Sequence, residues 1–256
     1  MKLLYSIAIL ALLSSCTEKN KTGNDKPDVI SQTEKEVSDT ILKSADDYKS
    51  DLRPNEKLKL DQVYSDRAEF VEFNDGGDYS YVVIKKDHKT IALTTNEGEG
   101  SSFTRGDIFE VKWKMDSVYI AGEGEKLEIT EWFVSAEKVK DGSVSQFRKK
   151  YKKPIKYYWS GEEHYTVDYK DYLYTLVEYY LANSKKELVK SNIQSPDASL
   201  TYSIEDGEKN GRSYTILGIS NEFENRTSII QWLYLDNENR KLYEYDLGND
   251  KLIEFN

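Results

Sequence analysis

The chain of 256 residues carries 46 acidic against 36 basic side chains, a formal charge of -10, with a single cysteine and two histidines. That balance argues against nucleic acid, which is held mainly by Lys and Arg neutralising phosphates, and against electrostatic adhesion to anionic lipid. Two histidines and one cysteine also leave little material for the familiar nucleophilic relays.

The first sixteen residues form an address. Lys2 is followed by an eleven-residue apolar run, Leu3 to Leu13. Such a run suits the core of a signal peptide and is too short to span a bilayer, which takes about 20 residues. It ends in Leu13-Ser14-Ser15-Cys16. This pattern resembles the lipobox of bacterial lipoprotein precursors, an aliphatic residue and two small ones before the cysteine that becomes the new N-terminus. The resemblance implies removal of residues 1–15, lipidation of Cys16 with palmitate among its acyl chains, and a mature protein with no thiol. By the same resemblance, Thr17 after the cysteine points to the outer membrane, on either its periplasmic or its surface face. The mature chain of 241 residues would carry a charge of -11, since Lys2 leaves with the signal. It is long enough for one or two real cores.

Residues 16–55 are polar, highly charged and almost free of aromatics. Such a composition buries too little apolar surface to fold alone. A weak helical stripe (Ile30, Val37, Ile41, Ala45) is present, but the segment reads as a flexible tether reaching on the order of 35 Å.

Residues 56–142 switch to period two. Alternation runs through Ala68 to Phe73, Tyr79 to Ile84, Ile108 to Trp113, Ser117 to Ala121 and Leu127 to Val134. Turn chemistry separates the runs at Asn74–Asp78, Lys86–Lys89 (which holds His88), Asn96–Ser102 and Gly122–Gly124. Short strands joined by Gly, Asp and Asn turns predict a small antiparallel β-barrel or sandwich, SH3-like or OB-like.

Residues 143–256 predict an α+β unit. Six basic residues lie between Arg148 and Lys156. They read as a solvated connector or short helix ending near Pro154, with a local anion site as the sharper alternative. A helix is expected over 168–190, its stripe formed by Tyr169, Tyr172, Leu173, Leu176, Val177 and Tyr180, with Asp171, Glu178 and Lys185 off it. Asp168 would cap that helix or favour its N-terminus. Strands are expected at 200–205, 213–220, 227–235 and 241–255, the last split by Gly248-Asn249-Asp250. Helix first and then an antiparallel meander predicts a helix packed on a sheet, an element order that resembles the cystatin-like arrangement.

Candidate ligand contacts concentrate in Tyr157, Tyr158, Trp159, Glu162 and His164, within a stretch that reads as a polar loop. Glu163 would join Glu162 in a carboxylate-based, glycan-acting hydrolase. Adjacent glutamates on extended chain point opposite ways, which weighs against that use. His164 and Asp168 are four apart, yet a metal needs a third ligand, and His88 is expected in a distant turn. Asp75–Asp78 and Asp236–Asn239 miss the calcium-loop pattern. Arg105-Gly106-Asp107 reads as turn chemistry. Trp113 and Trp232 fall in strong strand runs and are expected in the core. No sequence feature calls for a cofactor or metal, and none identifies a catalytic residue. The expectation is a lipid-anchored, non-enzymatic binding module for an envelope protein or glycan, the alternatives being the hydrolase and a structural component of an outer-membrane complex.

Overall fold

A computed structural model describes residues 47–256, apart from 97, 99, 101, 121–125, 162–163, 224–225 and 256. The signal run, Cys16 and the tether as far as residue 46 lie outside the described residues.

Five strands, β1 (Val63–Asn74), β2 (Ser80–Lys86), β3 (Lys89–Thr95), β4 (Ile108–Ile120) and β5 (Lys126–Lys140), close into a barrel in the order β1-β2-β3-β5-β4. All pairings are antiparallel except β3 with β5, which closes the barrel in parallel at Thr94 and Trp132. This is the OB-like of the two expected barrels. Inward residues, among them Phe70, Val82, Leu93, Val111, Trp113 and Phe133, form one apolar core. The β2–β3 hairpin turns on Asp87 and His88, both at positive φ, which matches the right-handed twist of its strands. The expected run Ile108 to Trp113 and the one beginning at Ser117 merge into the single long β4, which is described as far as Ile120. Strand β3 emerges where sequence alternation is poor, because Thr94 and Thr95 are buried as well as Ile91 and Leu93.

The tether was expected to run to residue 55, but the chain from residue 47 is already part of the barrel. Tyr48 bridges to Leu58, Leu60 bridges to Met115, and Leu52 and Leu58 are fully buried in the barrel core. Each buried leucine contributes about 2 kcal/mol, which a polar composition conceals. Asp66 fastens this segment. Its carboxylate accepts from Arg53 Nε (2.8 Å), Lys86 Nζ (2.6 Å) and Trp113 Nε1 (2.9 Å), and Lys86 also donates to the Leu52 carbonyl.

The remaining elements are α1 (Ser143–Lys150), β6 (Lys156–Trp159), α2 (Val167–Asn183), α3 (Glu187–Gln194), β7 (Ser199–Lys209), β8 (Arg212–Phe223), β9 (Arg226–Asp236), β10 (Leu242–Asp246) and β11 (Lys251–Glu254). The sheet runs β11-β10-β9-β8-β7-β6, antiparallel throughout except that β6 joins β7 in parallel. Leu173, Leu176, Val177 and Tyr180 of α2 pack on Leu200, Tyr202, Leu217, Leu233 and their neighbours, so the helix lies on the sheet as expected.

Several local expectations are corrected. The predicted helix 168–190 breaks after Asn183. Ser184 is extended and buried, its hydroxyl donates to the Tyr180 phenol oxygen and accepts from Lys186 N, and α3 restarts so that Val189 enters the core. The side-chain cap of α2 is Thr166, which accepts from Tyr169 N, while Asp168 sits in the first turn. Glu178 is buried rather than off the packed face, because Arg148 neutralises it. Of the six basic residues, Arg148 is thereby engaged, Lys149 pairs with Asp141, and Lys153 donates to the carbonyls of Ser195, Pro196 and Ala198. Trp113 is core, but Trp232 is half-buried on the sheet face away from α2, its ring lying where a side chain on Gly218 would stand.

The barrel and the sheet unit meet backbone to backbone. A Cβ on Gly142, which precedes α1, would stand 2.0 Å from the Gly106 carbonyl oxygen. Gly106 takes φ +86° there. Asp107, almost wholly buried, accepts from Gly142 N at 2.7 Å and Ser145 Oγ at 3.0 Å, and pairs with Lys138 at 3.2 Å. The Arg105-Gly106-Asp107 tripeptide is therefore a seam between the two cores.

Candidate functional site

The described sequence-derived candidates do not all share one face. Tyr157, Tyr158 and Trp159 form the edge strand β6 instead of a loop, and strand geometry turns them alternately to opposite faces. Tyr157 faces inward against Tyr202, with ring centroids 5.8 Å apart, whereas Tyr158 is exposed. Trp159 packs against the helix–sheet core and stacks on Tyr165 at 4.1 Å. His164 is exposed in the turn before α2, where its amide donates to the Gly161 carbonyl. Glu162 and Glu163 lie outside the described residues, as does Cys16. The Asp236–Asn239 segment is a turn closed internally, with Asp236 Oδ1 accepting from the amides of Glu238 and Asn239. Among the described residues no group of three or more His, Cys, Asp or Glu could hold a metal.

Among several concave features, one lies between β1 of the barrel and α2, where apolar and charged side chains meet. A bulge creates it. Phe70 pairs with Ile84 but Glu72 pairs with Val83, so Val71 is an extra residue. One inserted residue exchanges the two faces of a strand. Past the bulge Phe73 pairs with Val82, whose side chain is in the core, while Glu72 leaves the face it would have shared with Ala68 and Phe70. The Val71 carbonyl accepts from Arg105 Nη1 at 3.0 Å. Glu72 meets two guanidinium groups, Arg240 at 3.5 Å and Arg105 at 3.9 Å. Each arginine also lies over a tyrosine of α2, Arg240 at 4.2 Å from the Tyr172 centroid and Arg105 at 4.9 Å from that of Tyr179. Planar guanidinium groups suit this combined stacking and carboxylate pairing.

Beside this cluster opens a cleft of about 220 Å³. Phe70, Phe73, Phe103 and Leu176 supply apolar lining, and Asp75, Asp168 and Asp171 supply carboxylates. Burial pushes the Tyr172 phenol up to about 12, with Glu72 adding to the shift and the two arginines opposing it. Tyr172 is also the end of an aromatic column, Trp159–Tyr165–Tyr169–Tyr172, whose successive centroids are 4.1, 5.5 and 6.2 Å apart. Trp159 thus supports the cleft wall through the column. Clefts between packed units with an apolar lining and a few polar groups are the usual form of ligand sites.

No known protein family matches the sequence, and no curated protein matches it. Among solved structures, an aspartyl-tRNA synthetase structure from Leishmania major aligns at 8% identity and TM-score 0.25, over 64% of this chain and 45% of that one. An aspartyl-tRNA synthetase from Entamoeba histolytica aligns at 10% identity and TM-score 0.21, over 88% and 58%. The chain spans about half the length of each, and likeness at this level carries no functional argument.

Proposed function

We propose that this chain is a lipid-anchored cell-envelope protein, held at the outer membrane through Cys16, whose folded part is a non-enzymatic binding module. The anchorage is supported by the apolar run and by the resemblance of Leu13-Ser14-Ser15-Cys16 to a lipobox. More than one acyl chain makes such an anchor stable, where a single chain holds only marginally. The observation that supports binding is the cleft between β1 and α2, concave, apolar at its base and lined by charged side chains from both units.

Metabolic labelling with palmitate tests the anchorage. The protein should incorporate label, and Cys16→Ala should lose it and retain the signal segment as a longer chain. Label persisting in Cys16→Ala, or a shortened chain without lipid in the unaltered protein, would contradict the reading.

A further inference from the structure

We infer that the cleft between β1 and α2 receives a lysine or arginine side chain from a partner polypeptide, an inference that rests on reading the folded part as a binding module. The cleft has the wrong charge for an anion. Asp168 and Asp171 stand three apart on the opening turns of α2, and Asp75 lines the same cleft from the β1–β2 turn. Residues three apart share a helix face. All three carboxylates are exposed, and none forms an ion pair with another described residue.

The cations nearby are engaged. Arg105 lines the cleft but is tied to the Val71 carbonyl, to Glu72 and to the Tyr179 ring. Arg240 is held by Glu72 and Tyr172. One carboxylate between two guanidinium groups leaves a single surplus positive charge, which offsets only one of the three aspartates and leaves the cleft acidic.

Below those carboxylates the lining is hydrocarbon, from Phe70, Phe73, Phe103 and Leu176. Lysine and arginine are apolar stems ending in a cation, and each buries its stem while the head stays near water and counter-charge. That order matches apolar base and acidic rim. A phosphate or acidic sugar would face three like charges, and a neutral apolar group would leave the rim without a partner. The protein's overall charge of -10 also favours encounter with a basic segment.

The test is calorimetric titration of the full-length chain in detergent micelles with acetyl-Ala-Leu-Lys-Leu-Ala-amide and with the same peptide carrying norleucine for lysine. The lysine peptide should bind at least tenfold more tightly than the norleucine peptide. Asp168→Asn with Asp171→Asn should remove that preference, whereas Phe73→Ala should weaken binding of both peptides. The pair Asp197→Asn with Glu208→Gln changes the net charge equally at exposed positions away from the cleft, and should leave binding intact. Equal binding of both peptides, no binding of either, or equal loss in the remote pair would overturn the inference. Lysine methyl ester binding as tightly as the peptide would also overturn it, by making a free amine the ligand. Palmitate labelling of Cys16 is independent of all these outcomes, so loss of peptide binding with labelling intact would remove this inference and leave the anchorage.

Discussion

The guanidinium of Arg148 grips the carboxylate of Glu178 through both Nε and Nη2, at 2.5 to 3.0 Å. This pair locks α1 onto α2. The Glu178 side chain is 5% exposed and that of Arg148 45%. Arg148→Ala should therefore cost about 2 to 3 kcal/mol, below the full cost of stranding a buried charge because water can partly replace the arginine. Arg148→Lys keeps the charge but loses the two-pronged geometry and should fall between. Urea unfolding midpoints for the three proteins check the order.

Asp66 predicts acid sensitivity in the barrel. Burial is the largest influence on this carboxyl and disfavours its charge, but hydrogen bonds from Lys86, Arg53 and Trp113 together outweigh it and hold the group below the ordinary carboxylate range. A carboxyl lowered in the folded state stabilises above its unfolded value of about 4 and loses that contribution as pH falls through the folded value. The unaltered protein should weaken across that window, and Asp66→Asn should show a shallower fall from a lower starting stability. Denaturation midpoints at pH 6 and pH 3 give the comparison; equal slopes would count against the assignment.

Two glycines that look equivalent in sequence should respond differently to alanine. A Cβ on Gly142 would collide with the Gly106 carbonyl, which is backbone, whereas one on Gly218 would meet the Trp232 ring and the Ser203 hydroxyl, which can move. Gly142→Ala should cost at least as much as the usual overpacking penalty of about 1 to 3 kcal/mol, and Gly218→Ala clearly less. Thermal melts of the two variants decide it.

The alkaline limb should report on Tyr172. Its phenol is raised to about 12, chiefly by burial. A tyrosine raised in the folded state contributes stability below its unfolded value, about 10, and loses it as pH climbs through the folded one. Tyr172→Phe should shallow the loss between pH 10 and 12, and ultraviolet titration should lose a late-ionising tyrosine. Tyr180 and Tyr202 are also raised by burial and should account for much of the remaining late titration.

The sequence made the barrel, the helix and the meander legible because each rests on a local period, two in the strands and 3.6 in α2. It marked Trp113 as core for the same reason. The cleft was hidden because its parts come from separate periods. Asp75 showed only as a failed calcium loop and Arg105 only as part of a tripeptide, while Tyr172 belonged to a stripe and Arg240 carried no signal. The β1 bulge that sends Glu72 outward has no distinctive residue, and Ala68-Phe70-Glu72 simply looks like one continuous face. Leu52 was missed because a lone leucine in a charged stretch resembles a tether until the barrel core accepts it. Glu178 was misplaced because its burial depends on Arg148, thirty residues away.

The fastening of residues 47–60 determines how the folded body would respond to pulling. Tension arriving at residue 47 meets the Tyr48–Leu58 bridge and the bond from Arg53 to Asp66, which passes part of the load sideways into β1. Leu52, the Arg53 pair with Asp66 of β1 and the bond from Lys86 to the Leu52 carbonyl would have to give way before the chain peels back to the start of β1. On the proposed anchorage, the N-terminal segment would act as strain relief, like the clamp on a cable.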